Sequence, residues 1–208
     1  CLFFNNVSAN NQVKAGGIIL IPLTEYERDI EFTYKEYLIT KVEEENKSYL
    51  LFGVPYQTPE GSNKFVITDG HNKKVLELNV QKKDFDIQNI KINKFNKKSQ
   101  KLLNRIYSER IEITKAKKID YKINPDYDFI NPVDGVVTGI FGTQRYYNGV
   151  KGNYHNGHDI AADTGTPIYA PSKGKVILTG HYYYNGKFVM INHGNNLISL
   201  FLHMDSIN

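Results

Sequence analysis

The sequence predicts a mainly β protein in two parts, a small N-terminal β-sandwich and a C-terminal antiparallel β-sheet domain, joined by a helical connector. Three observations predict it. Short apolar, β-branched runs punctuated by turn residues recur from Lys14 to about Gln88. A charge-rich stretch without Gly or Pro follows from Lys97 to about Lys118. From Val133 onward the composition shifts to Gly, Tyr and β-branched residues, with glycine turns between short strands. The expected division is 1–13 as an export-signal remnant and linker, 14–93 as the sandwich, 94–130 as connector and 131–208 as the second domain.

Each element has its own warrant. Gly17 to Leu23 is apolar and ends at a proline, as a buried strand would. Ile30 to Tyr34 and Leu38 to Val42 alternate, and Ser48 to Val54 continues the series up to Pro55. Phe65–Thr68 and Val75–Val80 flank Asp69-Gly70-His71-Asn72, a turn sequence that makes them a hairpin. Short strands at this spacing suit a sandwich. In the connector, Leu102, Leu103, Ile106, Ile111 and Ile113 approximate one helical face, and the surrounding charge reads as a solvated face. Asn124-Pro125-Asp126 and Asn131-Pro132 mark the next boundary. Strands are then expected at 135–139, 167–170, 174–178, 188–191 and 197–202.

Composition narrows the function classes. A formal net charge of +4 is mildly basic, which favours an anionic polymer surface and is too weak to argue for nucleic acid. The single cysteine, Cys1, excludes an internal disulfide and thiolate–zinc sites. Cys1 is either a lipid-bearing residue or the tail of an apolar signal segment. The small residues Val7-Ser8-Ala9 favour the second, and with it an exported protein. No apolar run approaches the ~18 residues a transmembrane helix needs.

Five of the six histidines fall in the second domain. His155 and Asp159 stand three residues apart across Gly157, which lets the chain fold back. An imidazole and a carboxylate aimed at one point can ligate zinc, or can simply hydrogen-bond at a surface. His203 shares a strand face with Phe201 by alternation. It reads either as a core-edge histidine or as a general base beside a metal site. His71 sits in a turn and reads as a solvated loop residue.

These pieces form an ordered set. Pro132-Val133-Asp134-Gly135-Val136-Val137-Thr138-Gly139-Ile140-Phe141-Gly142-Thr143-Gln144-Arg145 comes first. His155-Asn156-Gly157-His158-Asp159-Ile160-Ala161 and Gly165-Thr166-Pro167-Ile168-Tyr169-Ala170-Pro171 follow, then Gly174-Lys175-Val176 and Asn192-His193-Gly194 running on to His203. Together they resemble the lysostaphin/LytM-like zinc metallopeptidases. The Arg145–Gly149 insertion is most similar to members from Gram-negative envelopes. The resemblance implies Zn2+ as cofactor, His155 and Asp159 as its ligands, and His203 as the catalytic histidine. It implies peptidoglycan peptides as substrate, a periplasmic or envelope location, and Arg145 and Asn148 as groove residues. Arg145 reads equally as a structural salt-bridge residue. His193 reads as structural, His158 as turned away from the metal, and the tyrosines after His181 as packing or a groove wall.

One part of the family pattern is missing from these residues. The family completes its site with a His-x-His pair downstream of the position of His203, and none occurs in this sequence. A catalytic zinc normally takes three protein ligands. The expectation is therefore a peptidase domain lacking its C-terminal strands and inactive alone. A longer natural chain, a truncated gene or a partner chain that completes the fold would each account for it. Two rival functions stand beside the peptidase: a non-catalytic LytM-like regulator of cell-wall amidases, and a wall-binding protein.

Overall fold

The computed structural model describes residues 11–35, 37–44, 46–92, 97–119, 121, 123 and 127–208. Cys1, the Val7-Ser8-Ala9 run expected to belong to an export signal, and the Asn124-Pro125-Asp126 run expected to be a loop lie outside the described residues. The chain divides into two units between Phe85 and Asp86.

The N-terminal unit is built from β1 (Gln12–Lys14), β2 (Ile18–Pro22), β3 (Thr33–Tyr34), β4 (Tyr37–Leu38), β5 (Thr40–Glu44), β6 (Lys47–Gly53), β7 (Gly61–Thr68) and β8 (Lys73–Gln81). They form one sheet in the order β1-β8-β7-β3-β4 and a second in the order β2-β6-β5. Alternation decides what each strand buries. On β8, Leu76, Leu78 and Val80 are buried while Glu77 and Asn79 between them are exposed. The buried residues share one core with Phe65 and Ile67 of β7 and with Leu50 and Phe52 of β6 in the other sheet. Phe52 packs edge-to-face on Tyr34 and Phe65 at centroid distances of 5.2 and 5.3 Å. Two sheets closing on one core make this the expected sandwich. The β7–β8 hairpin turns where expected, with the Asp69 carboxylate accepting the His71 and Asn72 amides, which hold its pKa down. Gln12 and Val13, in the stretch expected to be linker, pair in parallel with β8 together with Lys14, and Val13 is buried.

The C-terminal unit contains β9 (Ile87–Ile90), α1 (Gln100–Lys117), β10 (Val136–Gly139), β11 (Gln144–Tyr147), β12 (Val150–Tyr154), β13 (Asp159–Ala161), β14 (Lys175–Tyr182), β15 (Gly186–Gly194) and β16 (Leu197–Met204). Its sheets run β10-β13, β12-β11-β9 and β14-β15-β16. All pairings here are antiparallel except β9 with β11, which is parallel. Ile87–Ile90 was expected to belong with the N-terminal region. Its ladder partners lie 57 residues further along the chain, so local pattern gives no hint of the pairing. No strand forms at 167–170: prolines bracket it, and the Tyr169 N–H donates to the Pro132 carbonyl at 2.8 Å.

The helix begins where Ser99 caps the Leu102 amide at 3.3 Å. Its face differs from the one expected. Ala116 is buried and packs with Ile113 against Phe188 and Met190, whereas Leu103 and Ile111 point to solvent. Leu102, Ile106, Glu109, Ile113 and Ala116 are the less exposed positions, at alternating spacings of four and three. The helix is therefore part of the C-terminal unit. Its charge is not all solvated either: Glu109 and Glu112 bond to the end of β14 and the turn after it.

Candidate metal centre and general base

His155 follows β12, and its backbone is locked to the loop after β10. Its N–H donates to the Thr143 carbonyl at 2.8 Å and its carbonyl accepts from Gly142 at 2.7 Å. The side chain is buried, and Nδ1 lies 3.1 Å from the Ile140 carbonyl. With Nδ1–H donating there, Nε2 is left with its lone pair, the arrangement metal-binding histidines use. Nε2 faces Asp159 Oδ1 at 3.1 Å.

Asp159 opens β13 and pairs across a bulge with Gly139. A Cβ on Gly139 would sit 2.5 Å from Asp159 Oδ2, so the glycine leaves the space the carboxylate occupies. Asp159 Oδ2 also lies 3.7 Å from Arg145 Nη2, and Arg145 Nε donates to Gln88 Oε1 at 3.2 Å. His155, Arg145, Gln88, Gly139 and Thr143 line a shallow cleft of about 290 Å³. Gly139 and Gln88 escaped the sequence reading. Gly139 was visible only as a strand-bounding glycine, and Gln88 carried no signal.

The structure brings His155, Asp159 and Arg145 together. Asn148 is used otherwise. Its amide oxygen accepts from the Ile92 N–H and its amide nitrogen donates to the Ile92 carbonyl, both at 2.9 Å. Both ends of its side chain are thus engaged by the Ile92 backbone. His203 is exposed and has no contact with His155 or Asp159 among the described interactions. Among the described residues, no three His, Cys, Asp or Glu gather as a metal cluster.

His203 also breaks the alternation expected of its strand. Between Val189↔Phe201 and Lys187↔Met204, β16 carries one residue more than β15, and His203 has φ +56°. Such a bulge re-aims a side chain, so the face shared with Phe201 does not extend to His203. Its N–H donates to the Asn185 carbonyl at 2.9 Å, and Nδ1 rests against Gly186. His193, read as structural, is fully buried. Its ring nitrogens lie 2.7 Å from the Lys173 carbonyl and 2.7 Å from Ser199 Oγ. His158 is exposed. Tyr182 packs on Phe188 and bonds Glu112, which makes it packing and not a groove wall.

The donors fit part of a zinc site. A neutral imidazole with its second nitrogen fixed, and a carboxylate aimed at the first, are ordinary zinc ligands. Residues 153–208 match Peptidase family M23. The chain is 42% identical over 53 residues to peptidoglycan DD-endopeptidase ShyA of Vibrio cholerae, and 38% over 53 residues to ShyB of the same organism. These matches cover 26% of this chain and 12% of each relative, so the chain spans a small part of them. A crystal structure from Pseudomonas aeruginosa assigned to peptidase M23 aligns with a TM-score of 0.69 at 29% identity. That alignment covers 94% of this chain and 75% of that one.

Proposed function

We propose that the C-terminal unit is a zinc-dependent endopeptidase domain acting on peptide cross-links of bacterial peptidoglycan in the cell envelope. The observation that carries this is the convergence of His155 Nε2 and Asp159 Oδ1 at 3.1 Å, with His155 Nδ1 fixed by the Ile140 carbonyl. The likeness to curated DD-endopeptidases supports the substrate class. No helix among the described residues is long and apolar enough to cross a membrane.

His155 and Asp159 would hold the metal. Zinc, when bound, supplies a Lewis acid that polarises the scissile carbonyl and lowers the pKa of water to about 7. Asp159 is kept open to solvent for that purpose, its second oxygen steadied by Arg145. Arg145 borders the substrate groove. His203 serves as the general base, with Nδ1 against Gly186 and Nε2 as the nitrogen that takes the proton.

The described residues supply two ligands, one fewer than a catalytic zinc normally takes. This 208-residue polypeptide by itself therefore cleaves peptidoglycan little or not at all. The same observation favours a second reading, a non-catalytic LytM-like regulator of amidases. Zinc titration calorimetry tests the first reading directly. Wild type should bind Zn2+ weakly and His155→Ala should lose at least about tenfold in affinity. Equal binding by the two proteins would remove the metal site and leave the regulator.

A further inference from the structure

Glu109 is the one carboxylate on the less exposed face of α1. Only 13% of its side chain is exposed. Burial of a carboxylate costs free energy unless its oxygens are engaged, and here both are. Oε1 accepts from Arg105 Nε at 2.6 Å and Oε2 accepts from the Tyr183 backbone N–H at 2.9 Å. Arg105 extends the contact by donating from Nη2 to the His181 carbonyl at 3.0 Å. One turn further on, Glu112 accepts from the Tyr182 hydroxyl. Three successive residues, His181 to Tyr183, are thus held by one side of the helix.

Those residues lead into the turn between β14 and β15, and that turn touches His203. The Asn185 carbonyl accepts the His203 N–H at 2.9 Å. Gly186 presses on the histidine so closely that a Cβ there would lie 3.1 Å from its Nδ1. His203 itself sits at φ +56° in a bulge, a conformation that a non-glycine residue keeps only when its surroundings impose it. The turn accepts the His203 N–H, and α1 bonds the residues that lead into that turn.

We infer that Glu109 is a positioning residue for His203, acting through the Tyr183–Gly186 turn, so that the connector helix sets the geometry of the general base. The inference rests on the proposed role of His203. Its physical content is a coupling between a helix carboxylate and a backbone amide that lies 94 residues on.

Amide hydrogen exchange on the full 208-residue chain tests it. Glu109→Ala should lower protection of the His203 amide about tenfold, because the turn that supplies its acceptor is released. Amides of Phe188 and Met190, in the buried middle of β15, should keep their protection. Glu109→Gln keeps an acceptor for the Tyr183 amide and loses the negative charge facing Arg105, so its protection should fall between wild type and Glu109→Ala. If Glu109→Ala fails to fold, Arg105→Ala, at a half-exposed side chain, carries the same test with a smaller loss. Unchanged exchange at His203 overturns the inference. So does a parallel fall at Phe188 and Met190, which would make Glu109 a general stabiliser. The exchange result stands whether or not His203 is the base, a role that loss of activity in His203→Ala would test separately.

Discussion

The two units spend their sequence differently. In the N-terminal unit an apolar cluster runs from Val13 on β1 to Val80 on β8 and draws on both sheets. Thr40 and Ser48 are its only buried polar residues among those described. In the C-terminal unit the comparable cluster is Ala116, Phe188 and Met190, and the buried polar residues among those described are His155, Asn192 and His193. The first unit is held by area removed from water. The second depends more on satisfied polar groups, and those are what can hold a ligand or a base in place.

The comparison can be broken most decisively in the N-terminal core. Leu50 is fully buried between the sheets, so Leu50→Ala should cost about 2–5 kcal/mol in chemical denaturation. Its zinc affinity, measured in native buffer, should equal wild type. A change in affinity would mean the two units do not divide labour as described. Gly139→Ala makes the opposite prediction. Its Cβ meets a half-exposed carboxylate that can swing aside, so stability should barely move. Zinc affinity should fall about tenfold as Asp159 leaves His155; an unchanged titration would remove Gly139 from the site.

The smallest effect concerns the helix contact. Burial, then the bond to Glu112, pushes the Tyr182 hydroxyl up to about 12, with Glu109 adding negative charge nearby. A raised folded-state pKa favours the protonated phenol. Its contribution is therefore complete below pH 10 and is lost as pH rises from 10 towards 12. The stability gap between wild type and Tyr182→Phe should narrow over that window, followed by denaturation at successive pH values. A constant gap would mean the hydroxyl contributes nothing there.

Much of this was legible in the sequence. The alternation of Val75–Val80 gave the buried face of β8, and Asp69-Gly70 gave its hairpin turn, because both signals are local. The His155–Asp159 spacing brought those two side chains together for the same reason. The face of α1 was misjudged because Glu109 sits where an apolar residue is expected, its charge answered by a backbone amide 74 residues away. The orientation of His203 was misjudged because one additional residue in β16 is invisible without the register against β15. Asn148 was expected in the groove from resemblance, and its bonds to Ile92, just past β9, were not foreseen.

The sequence by itself determined a mainly β chain, the residue types able to bind zinc and the order in which they occur. These follow from side-chain chemistry and from periodicities of two and of three to four, which act over a few neighbours. Only the tertiary structure decided that β9 joins β11 and brings Gln88 to Arg145, that Gly139 makes room for Asp159, and that α1 reaches His203 through a turn. Each of these is a contact between segments far apart in the chain, selected by which surfaces can be buried together with their polar groups satisfied, and no local pattern records that choice.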